Sequence, residues 1–505
     1  MRRSLKIEAL ACGLVLAGLG LADRLAPPDL SRVSSVSVDV LDASGARLQT
    51  YLSNDGMVRV KTMPSGVDAR YLAMLVAYED KRFWHHWGVD PIAMVRAIVS
   101  SLKAGRIVSG GSTLTMQTAR LLEPRPRTIA SKLIEMARAV QLEAHFTKQE
   151  ILGLYLTLAP MGGNKEGVEA AARSYFGHGA ERLSLTQAAL LVALPQSPTR
   201  LRPDRHPGAA RDARNAVLKR TATRMGLAPD HVASLTAERL KLRLSPLADH
   251  AFHAGARVRA AHPGEARIET SLVAGLQSGV RHLVQSHAAL LDPETAAAAI
   301  VIDNQTRRIL AYIGAPDAAN ARRHGAIDMV RAVRSPGSTL KPFIYGMAFD
   351  DGLAAAQTRI ADLPTRFAGY QPDNFDRTFR GDVRVSDALQ HSLNVPAVLA
   401  LDRVGPQRFA ATLAFAGAPP RIRGGADHEA GLALALGGAG LTARELAVLY
   451  AALGDSGHAK PLIWSTDKEE ASKAAPGYRL MGAESAGKIL NILRNTPTPE
   501  GRMPG

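Results

Sequence analysis

The chain holds a single cysteine, Cys12, so no disulfide can form within it, and one thiol does not decide a redox compartment. Only 5% of its residues are aromatic. No zinc-ligand spacing and no RNA-binding signature occurs, which argues against nucleic acid as the partner of a basic chain. Negative charge is in short supply: the net charge is +16, which calls for an anionic partner such as an anionic lipid or a membrane surface. The N-terminal apolar run, Ala9 to Ala22, stops at Asp23 and is shorter than the roughly 20 residues of a typical span. No internal repeat and no heptad pattern is present, which excludes solenoids and long coiled coils.

What is present is a chain of 505 residues, 46% of them hydrophobic, enough for two or three domains with sizeable cores. A basic head, Met1 to Lys6, precedes the apolar run. Gly20-Leu21-Ala22 would suit signal cleavage. Extension of the helix back through Leu5–Glu8, with snorkelling ends, would instead make an anchor with a cytoplasmic N-terminus. Ala26-Pro27-Pro28 breaks that helix. Val36 to Val40 alternates like a strand, and Asp42 to Gly45 reads as a turn. From about 50 to 225 the apolar spacing predicts helices over Pro91–Ala104, Ile129–Phe146, Gln149–Leu158 and Leu185–Leu194. A further helix opens near Glu166 and ends near Gly177, and the basic helix Arg211–Arg224 reads as a solvated face. Residues 226–293 are charge-mixed and read as a linker with some helix. Two strands, 296–303 and 307–314, then form a hairpin around Asn304-Gln305-Thr306, and the remainder is mostly helical.

Chemistry concentrates in two places. Val67, Tyr71, Met74, Leu75 and Tyr78 have helical spacing, and Glu79 and Asp80 arrive where that helix runs out, beside Lys81 and Arg82. A carboxylate at the end of a buried helix suits a general base, because burial raises its pKa while cations counter that rise. Gly110-Gly111-Ser112-Thr113-Leu114-Thr115-Met116-Gln117 offers close backbone approach, hydroxyls and N–H groups for phosphate oxygens. Lys132 and Glu135 share a helix face, a spacing that in isolation would mean a surface ion pair.

With Phe83, His86, Gly88 and Asp90, then Tyr155-Leu156 through Gly162, Leu194-Pro195-Gln196-Ser197-Pro198 and Arg202-Pro203, these residues resemble the glycosyltransferase module of class A penicillin-binding proteins, the family 51 glycosyltransferases. The resemblance covers about 150 residues. It implies a mainly α, lysozyme-like domain over 50–225 behind an N-terminal membrane anchor over 1–26 and a short strand-like connector over 27–49. It further implies Glu79 as general base and Glu135 as an aid at the leaving pyrophosphate. Asp80, Phe83, His86, Gly111, Ser112, Thr113, Gln117, Arg120 and Lys132 are the implied substrate contacts. Two positions depart from the family pattern, Ser131 for Arg and Thr157 for Asn.

The second place is Ser338-Thr339-Leu340-Lys341, a Ser-x-x-Lys in which a desolvated amine can take the serine proton, followed by Ser392-Leu393-Asn394. Their order, after the first module and with Leu436-Gly437-Gly438 later, resembles the penicillin-binding transpeptidase domain. The family's third motif, Lys-Thr/Ser-Gly, does not follow Asn394: Lys460, Lys468, Lys473 and Lys488 lack it. The fold class expected is therefore multidomain, with an incomplete α/β penicillin-binding domain over 294–505 and an impaired acyltransferase.

The function implied is polymerisation of lipid II into glycan strands at the outer face of a bacterial inner membrane, in a single-pass protein with a cytoplasmic N-terminus. The implied partners are lipid II, the growing glycan strand, the membrane, β-lactams at Ser338 and other cell-wall synthesis proteins, with no nucleic acid. No tightly bound cofactor and no certain metal site is expected, although Mg or Mn could accompany the pyrophosphate. A non-catalytic scaffold in a cell-wall complex is the alternative from another class.

Overall fold

Helix-forming patterns in the first half close into helices whose ends are capped by their own side chains. A computed structural model describes residues 23–104, 111–244, 248–367, 370–422, 430–465 and 477–498. The basic head and apolar run of the expected anchor, Gly110, Lys468 and Lys473 lie outside the described residues. Among the described residues no helix is long and apolar enough to cross a membrane. The chain divides into two compact units, one of residues 1–39 and 50–248, the other of residues 40–49 and 249–505. The linker expected over 226–293 is thus helix and strand belonging to one unit or the other, and part of the expected connector belongs to the second. Sequence patterning could not see this, because the strand Val38–Leu41, which leads into that segment, pairs with strand Arg267–Glu269, far along the chain.

The first unit is built on helices α1 (Ala69–Glu79), α2 (Pro91–Ala104), α3 (Leu114–Leu122), α4 (Ile129–His145), α5 (Lys148–Leu158), α6 (Val168–Phe176), α7 (Leu185–Ala193), α8 (Pro207–Thr221) and α9 (Pro229–Ala237). Thr113, Thr128 and Asp68 cap α3, α4 and α1, each accepting from an N–H of the first turn. Thr147 with Glu150 and Ser184 with Gln187 form reciprocal capping boxes at α5 and α7. Every residue from Ala188 to Ala193 is buried, so α7 is apolar all round and runs through the core. Tyr71, Met74 and Leu75 of α1 pack into the same core as Leu152, Tyr155 and Leu190.

A small sheet closes one side, with β3 (Val58–Arg59) parallel to β5 (Lys165–Glu166), and β5 antiparallel to β4 (Pro160–Gly162), following the strands β1 (Val38–Leu41) and β2 (Arg47–Tyr51). Its charge is internal. Arg59 is fully buried and donates to Glu166 Oε2 at 2.6 and 2.8 Å, to Asp55 at 2.6 Å and to the carbonyls of Arg32 and Ser35. Arg32 holds the other oxygen of Glu166 at 2.7 Å.

In the second unit, α12 (Lys341–Asp350) is the central helix, buried from Lys341 to Phe349. Around it stand α10 (Phe252–Ala261), α11 (Ala274–Ala289), α13 (Val385–Gln390), α14 (Asn394–Val404), α15 (Pro406–Phe415), α16 (Ala443–Leu453) and α17 (Ala483–Arg494). Phe343, Ile344, Val398, Leu401, Leu449 and Ile489 share its core. After β6 (Arg267–Glu269), the expected hairpin forms as β7 (Ala299–Ile302) and β8 (Ile309–Ile313) with a bulge between Val301 and Ile302. It does not stand bare: Ile309 N–H donates to Ile463 at 3.0 Å, and Tyr312 N–H to the Gln277 side chain at 2.8 Å. Among the described residues, no further strand pairs with the outer edge of β7.

The Arg59 network predicts a stability effect. Arg59→Ala strips Glu166 of its buried partner and leaves only Arg32, and breaking a buried ion pair typically costs about 3–5 kcal/mol. Urea unfolding of the variant should show a loss of that order, and an unchanged midpoint would mean that Arg32 alone satisfies Glu166.

Candidate active sites

Glu79 is the last residue of α1, and the backbone leaves the helical region at Asp80 (φ −151°), so the Glu79 side chain ends the helix instead of crossing it. Its carboxylate accepts from Gln117 Nε2 on α3 at 3.0 Å and from Gln196 Nε2 in the turn after α7. Burial raises its pKa above the usual carboxylate range, opposed by those two hydrogen bonds and by the nearby Arg220 cation, while Asp80 adds to the rise. Arg220, from α8, lies over the Tyr78 ring at 4.5 Å, and Arg224 donates to the Lys81 carbonyl at 3.3 Å. The basic helix expected to be only a solvated face therefore braces the chain on both sides of Glu79. Gln196 and Arg220 carry no local sequence signal for this role, since each meets Glu79 only through the packing of helices.

Asp80, Phe83 and His86, expected as substrate contacts, are enclosed and engaged with the protein itself. Asp80 is buried and accepts from Leu114 N–H at 2.9 Å and from His86 Nε2 at 3.0 Å, which ties the end of α1 to the start of α3. Phe83 is 0% exposed, with the Lys148 ammonium 4.6 Å above its ring. Lys148 also donates to the His86 carbonyl and to Glu143 Oε1, each at 2.6 Å. The three thus brace the chain next to Glu79. Thr113 is likewise buried, occupied as the α3 cap and as donor to the Gly88 carbonyl.

Ser112, Lys132 and Glu135 form a second cluster at the start of the same helix. Lys132 Nζ donates to Ser112 Oγ at 2.7 Å and to Glu135 Oε2 at 3.1 Å, and Glu135 is buried. Half-buried Gly111 lies against Ala97 and Met94 of α2. Arg120, half-buried on α3, has no hydrogen-bond or ion-pair partner among the described residues, and it acts electrostatically on Tyr155. The Glu79 group and the Lys132 group thus share α3 and its leading loop: Gln117 serves the first and Ser112 the second. Both departures from the family pattern are absorbed locally. Ser131 accepts or donates with Thr128 Oγ1 at 2.9 Å within the α4 cap, and buried Thr157 donates to Gly153 O at 2.8 Å while accepting from Thr62 N–H at 3.0 Å.

In the second unit, Gly337 to Leu340 is a tight 3₁₀ turn that feeds α12, placing exposed Ser338 just ahead of Lys341. Lys341 is 1% exposed, and burial lowers its pKa to about 8. Its Nζ donates to Ser392 O at 2.6 Å, Ser392 Oγ at 3.2 Å and Asn394 Oδ1 at 2.7 Å, so both expected motifs meet at one amine. No hydrogen bond joins Lys341 Nζ to Ser338 Oγ here. The turn is held from outside by Tyr450, which donates to Thr339 O, and by Ser335 Oγ, which donates to Gly437 O, each at 2.8 Å. Gly437 adopts φ +88°, and a Cβ there would lie 2.4 Å from Ser335 Oγ. That close approach accounts for the glycine in Leu436-Gly437-Gly438.

Two sites of this make, one on each unit, define a transglycosylase followed by a penicillin-binding transpeptidase domain. The transglycosylase family pattern matches residues 45–222, and the penicillin binding protein transpeptidase domain matches residues 297–501. The chain belongs to the class A penicillin-binding proteins. It is similar to penicillin-binding protein 1C of Escherichia coli, 40% identical over 97% of this chain and 63% of that protein. It is also similar to penicillin-binding protein 1A of Aquifex aeolicus, 28% identical over 75% of this chain and 64% of that one. The chain therefore spans about 63% of the length of the Escherichia coli relative. The crystal structure of penicillin-binding protein 1A from Haemophilus influenzae shares the fold, with a TM-score of 0.53 at 16% identity over 93% of this chain and 81% of that chain.

The electrostatics of Glu79 can be tested directly. Arg220→Ala removes a cation that favours the ionised form, so the Glu79 pKa should rise further. In protein carrying [δ-¹³C]glutamate, with the signal assigned by Glu79→Gln, the titration midpoint should move to higher pH in Arg220→Ala. An unmoved midpoint would mean that Arg220 braces Tyr78 without acting on Glu79.

Proposed function

We propose that the first unit polymerises lipid II into glycan strands. The observation that carries this reading is Glu79: a carboxylate of raised pKa, held by two neutral amides and not by an ion pair, facing the same helix as a cationic cluster. Such a group is ready to take a proton. In the reaction, Glu79 takes the proton of the GlcNAc 4-hydroxyl of lipid II. The oxygen attacks the anomeric carbon of the lipid-linked donor chain, the bond to its pyrophosphate breaks, and the configuration at that carbon inverts. Lys132 and the unpaired Arg120 meet the charge of the departing pyrophosphate, with Ser112 and Gly111 beside them. Glu135 holds Lys132 in place.

A divalent cation accompanying the pyrophosphate would take most of its ligands from the substrate and water, and Glu135, paired with Lys132, is the carboxylate beside it. No step is assigned to one. A lipid-linked substrate requires a membrane-facing cleft at the outer surface of the inner membrane. In support, α2 and α4, which flank the Gly111–Thr113 loop, expose Ile92, Val95, Ile129 (85%) and Leu133 (61%).

For the second unit we propose acyl transfer with Ser338 as nucleophile, through which β-lactams would bind. A lysine with a pKa near 8 supplies a useful fraction of free amine at neutral pH, and Ser392 Oγ at 3.2 Å offers a path for the proton. The 505-residue chain tested by itself carries no Lys-Thr-Gly or Lys-Ser-Gly after Asn394, and acylation of that polypeptide should be slow.

Two experiments test these readings. Glu79→Gln keeps the shape and removes the proton acceptor, so lipid II polymerisation should fall by about 10²–10⁴ while the melting temperature holds. Near-normal turnover would remove Glu79 from the role, and an inactive parent chain would favour a scaffold. Fluorescent penicillin should label the 505-residue chain slowly and Ser338→Ala not at all. Rapid stoichiometric labelling lost in Ser338→Ala would show that the four residues suffice.

A further inference from the structure

Behind the Ser392–Asn394 loop lies a buried polar chain that neither motif includes. Asp362, at the end of β9 (Arg359–Asp362), is 0% exposed and has no ion-pair partner among the described residues. Its oxygens accept from Asn374 Nδ2 at 2.8 and 3.0 Å and from Arg380 N–H at 2.9 Å, where β9 meets β10 (Gly381–Arg384). Asn374 Nδ2 also donates to Thr378 O, and its Oδ1 accepts from Asn394 N–H at 2.7 Å. Asn394 Nδ2 donates to the Asp373 carbonyl at 2.6 Å.

The last contact fixes which way the Asn394 amide points. With its NH₂ committed to Asp373, its oxygen must face outward, and it accepts from Lys341 at 2.7 Å. A flipped amide would set NH₂ against the lysine, donor against donor. The neighbouring Ser392 also needs holding, since it is a non-glycine residue at φ +52°. We propose that Asp362 and Asn374 are positioning residues for acyl transfer: through the Asp373-Asn374 segment they lock the Asn394 amide oxygen toward Lys341 and keep the strained Ser392 in place. This rests on the acyl-transfer reading of the second unit. The groups facing Lys341 Nζ are Ser392 and Asn394. The buried ionisable groups of the chain behind them are Asp362 and, facing it, Tyr345, whose hydroxyl has no hydrogen-bond partner among the described residues and whose pKa is raised by burial and by Asp362; Asp373 is exposed.

The variant Asn374→Ala removes the link and Asp362→Asn keeps a carbonyl acceptor for it. Displacement of a reacting group by about 1 Å can cost 10²-fold, so Asn374→Ala should acylate with fluorescent penicillin at a maximal rate lowered by about that factor, while the penicillin concentration for half-maximal rate changes little. Asp362→Asn should fall between it and the parent. The alkaline rise of the acylation rate should also move. An ammonium that loses the Asn394 acceptor is less favoured, so the limb shifts to lower pH in Asn374→Ala. Lower melting temperatures with an unchanged rate and limb in the folded protein would overturn the proposal and leave a merely structural role. If the parent chain itself shows no acylation, the acyl-transfer reading fails, and the positioning claim is decided separately. In [ε-¹³C]lysine-labelled protein, with Lys341 assigned by Lys341→Arg, its titration midpoint should drop in Asn374→Ala, and an identical midpoint in both proteins would refute the link.

Discussion

A charge withdrawn from water must be met by something, and what meets it decides whether its proton can move. The two sites answer this in one way and the supporting framework in another. Glu79 is met by the amides of Gln117 and Gln196, and Lys341 by the oxygens of Ser392 and Asn394. These partners are neutral, so burial still pushes the acid up and the base down, toward the range where each exchanges protons near neutral pH. Arg59 with Glu166, and Arg421 with Glu445 at 2.7 Å, are instead met by counter-ions. Counter-ions suit architecture, and neutral partners suit chemistry.

Helix ends make this possible. Glu79 closes α1, Ser112 precedes α3, Ser338 and Lys341 open α12, and Asn394 opens α14. At such points the backbone exposes unpaired groups and side chains leave the helical packing pattern, so a polar residue can be partly buried without breaking a ladder of hydrogen bonds. The helices behind them supply rigidity. In the first unit Tyr71, Met74 and Leu75 anchor α1, and in the second α12 is buried along nearly its whole length.

The sequence was most legible where information is local. Apolar period located the start of α2 to the residue, and the ends of α4, α5 and α7 within one or two, where Thr128, Thr147 and Ser184 sit at the N-caps. The Ser-x-x-Lys and Ser-x-Asn spacings were also visible, though not the three bonds that make them one site. What stayed hidden is long-range. Gln196 reaches Glu79, Arg220 covers Tyr78, and Val40–Gln49 joins the second unit, each through contacts between segments far apart in the chain. The burial of Asp80, Phe83 and His86 was hidden for the same reason: their pattern was read as substrate contacts, and it is the fold that engages Asp80 in tying α1 to α3.

The fold also engages the two departures from the family pattern. Thr157 is buried and spans from the Gly153 carbonyl of its own helix to the Thr62 N–H of the preceding segment. A threonine hydroxyl is both donor and acceptor, so it can satisfy two backbone groups at once where an enclosed site admits no water. Ser131 likewise works within the cap that starts α4, one residue before Lys132. Position along a helix thus separates the roles: Ser131 and Thr157 close on nearby backbone and side-chain groups, whereas Glu79 at the end of α1 takes its partners from α3 and from the turn after α7.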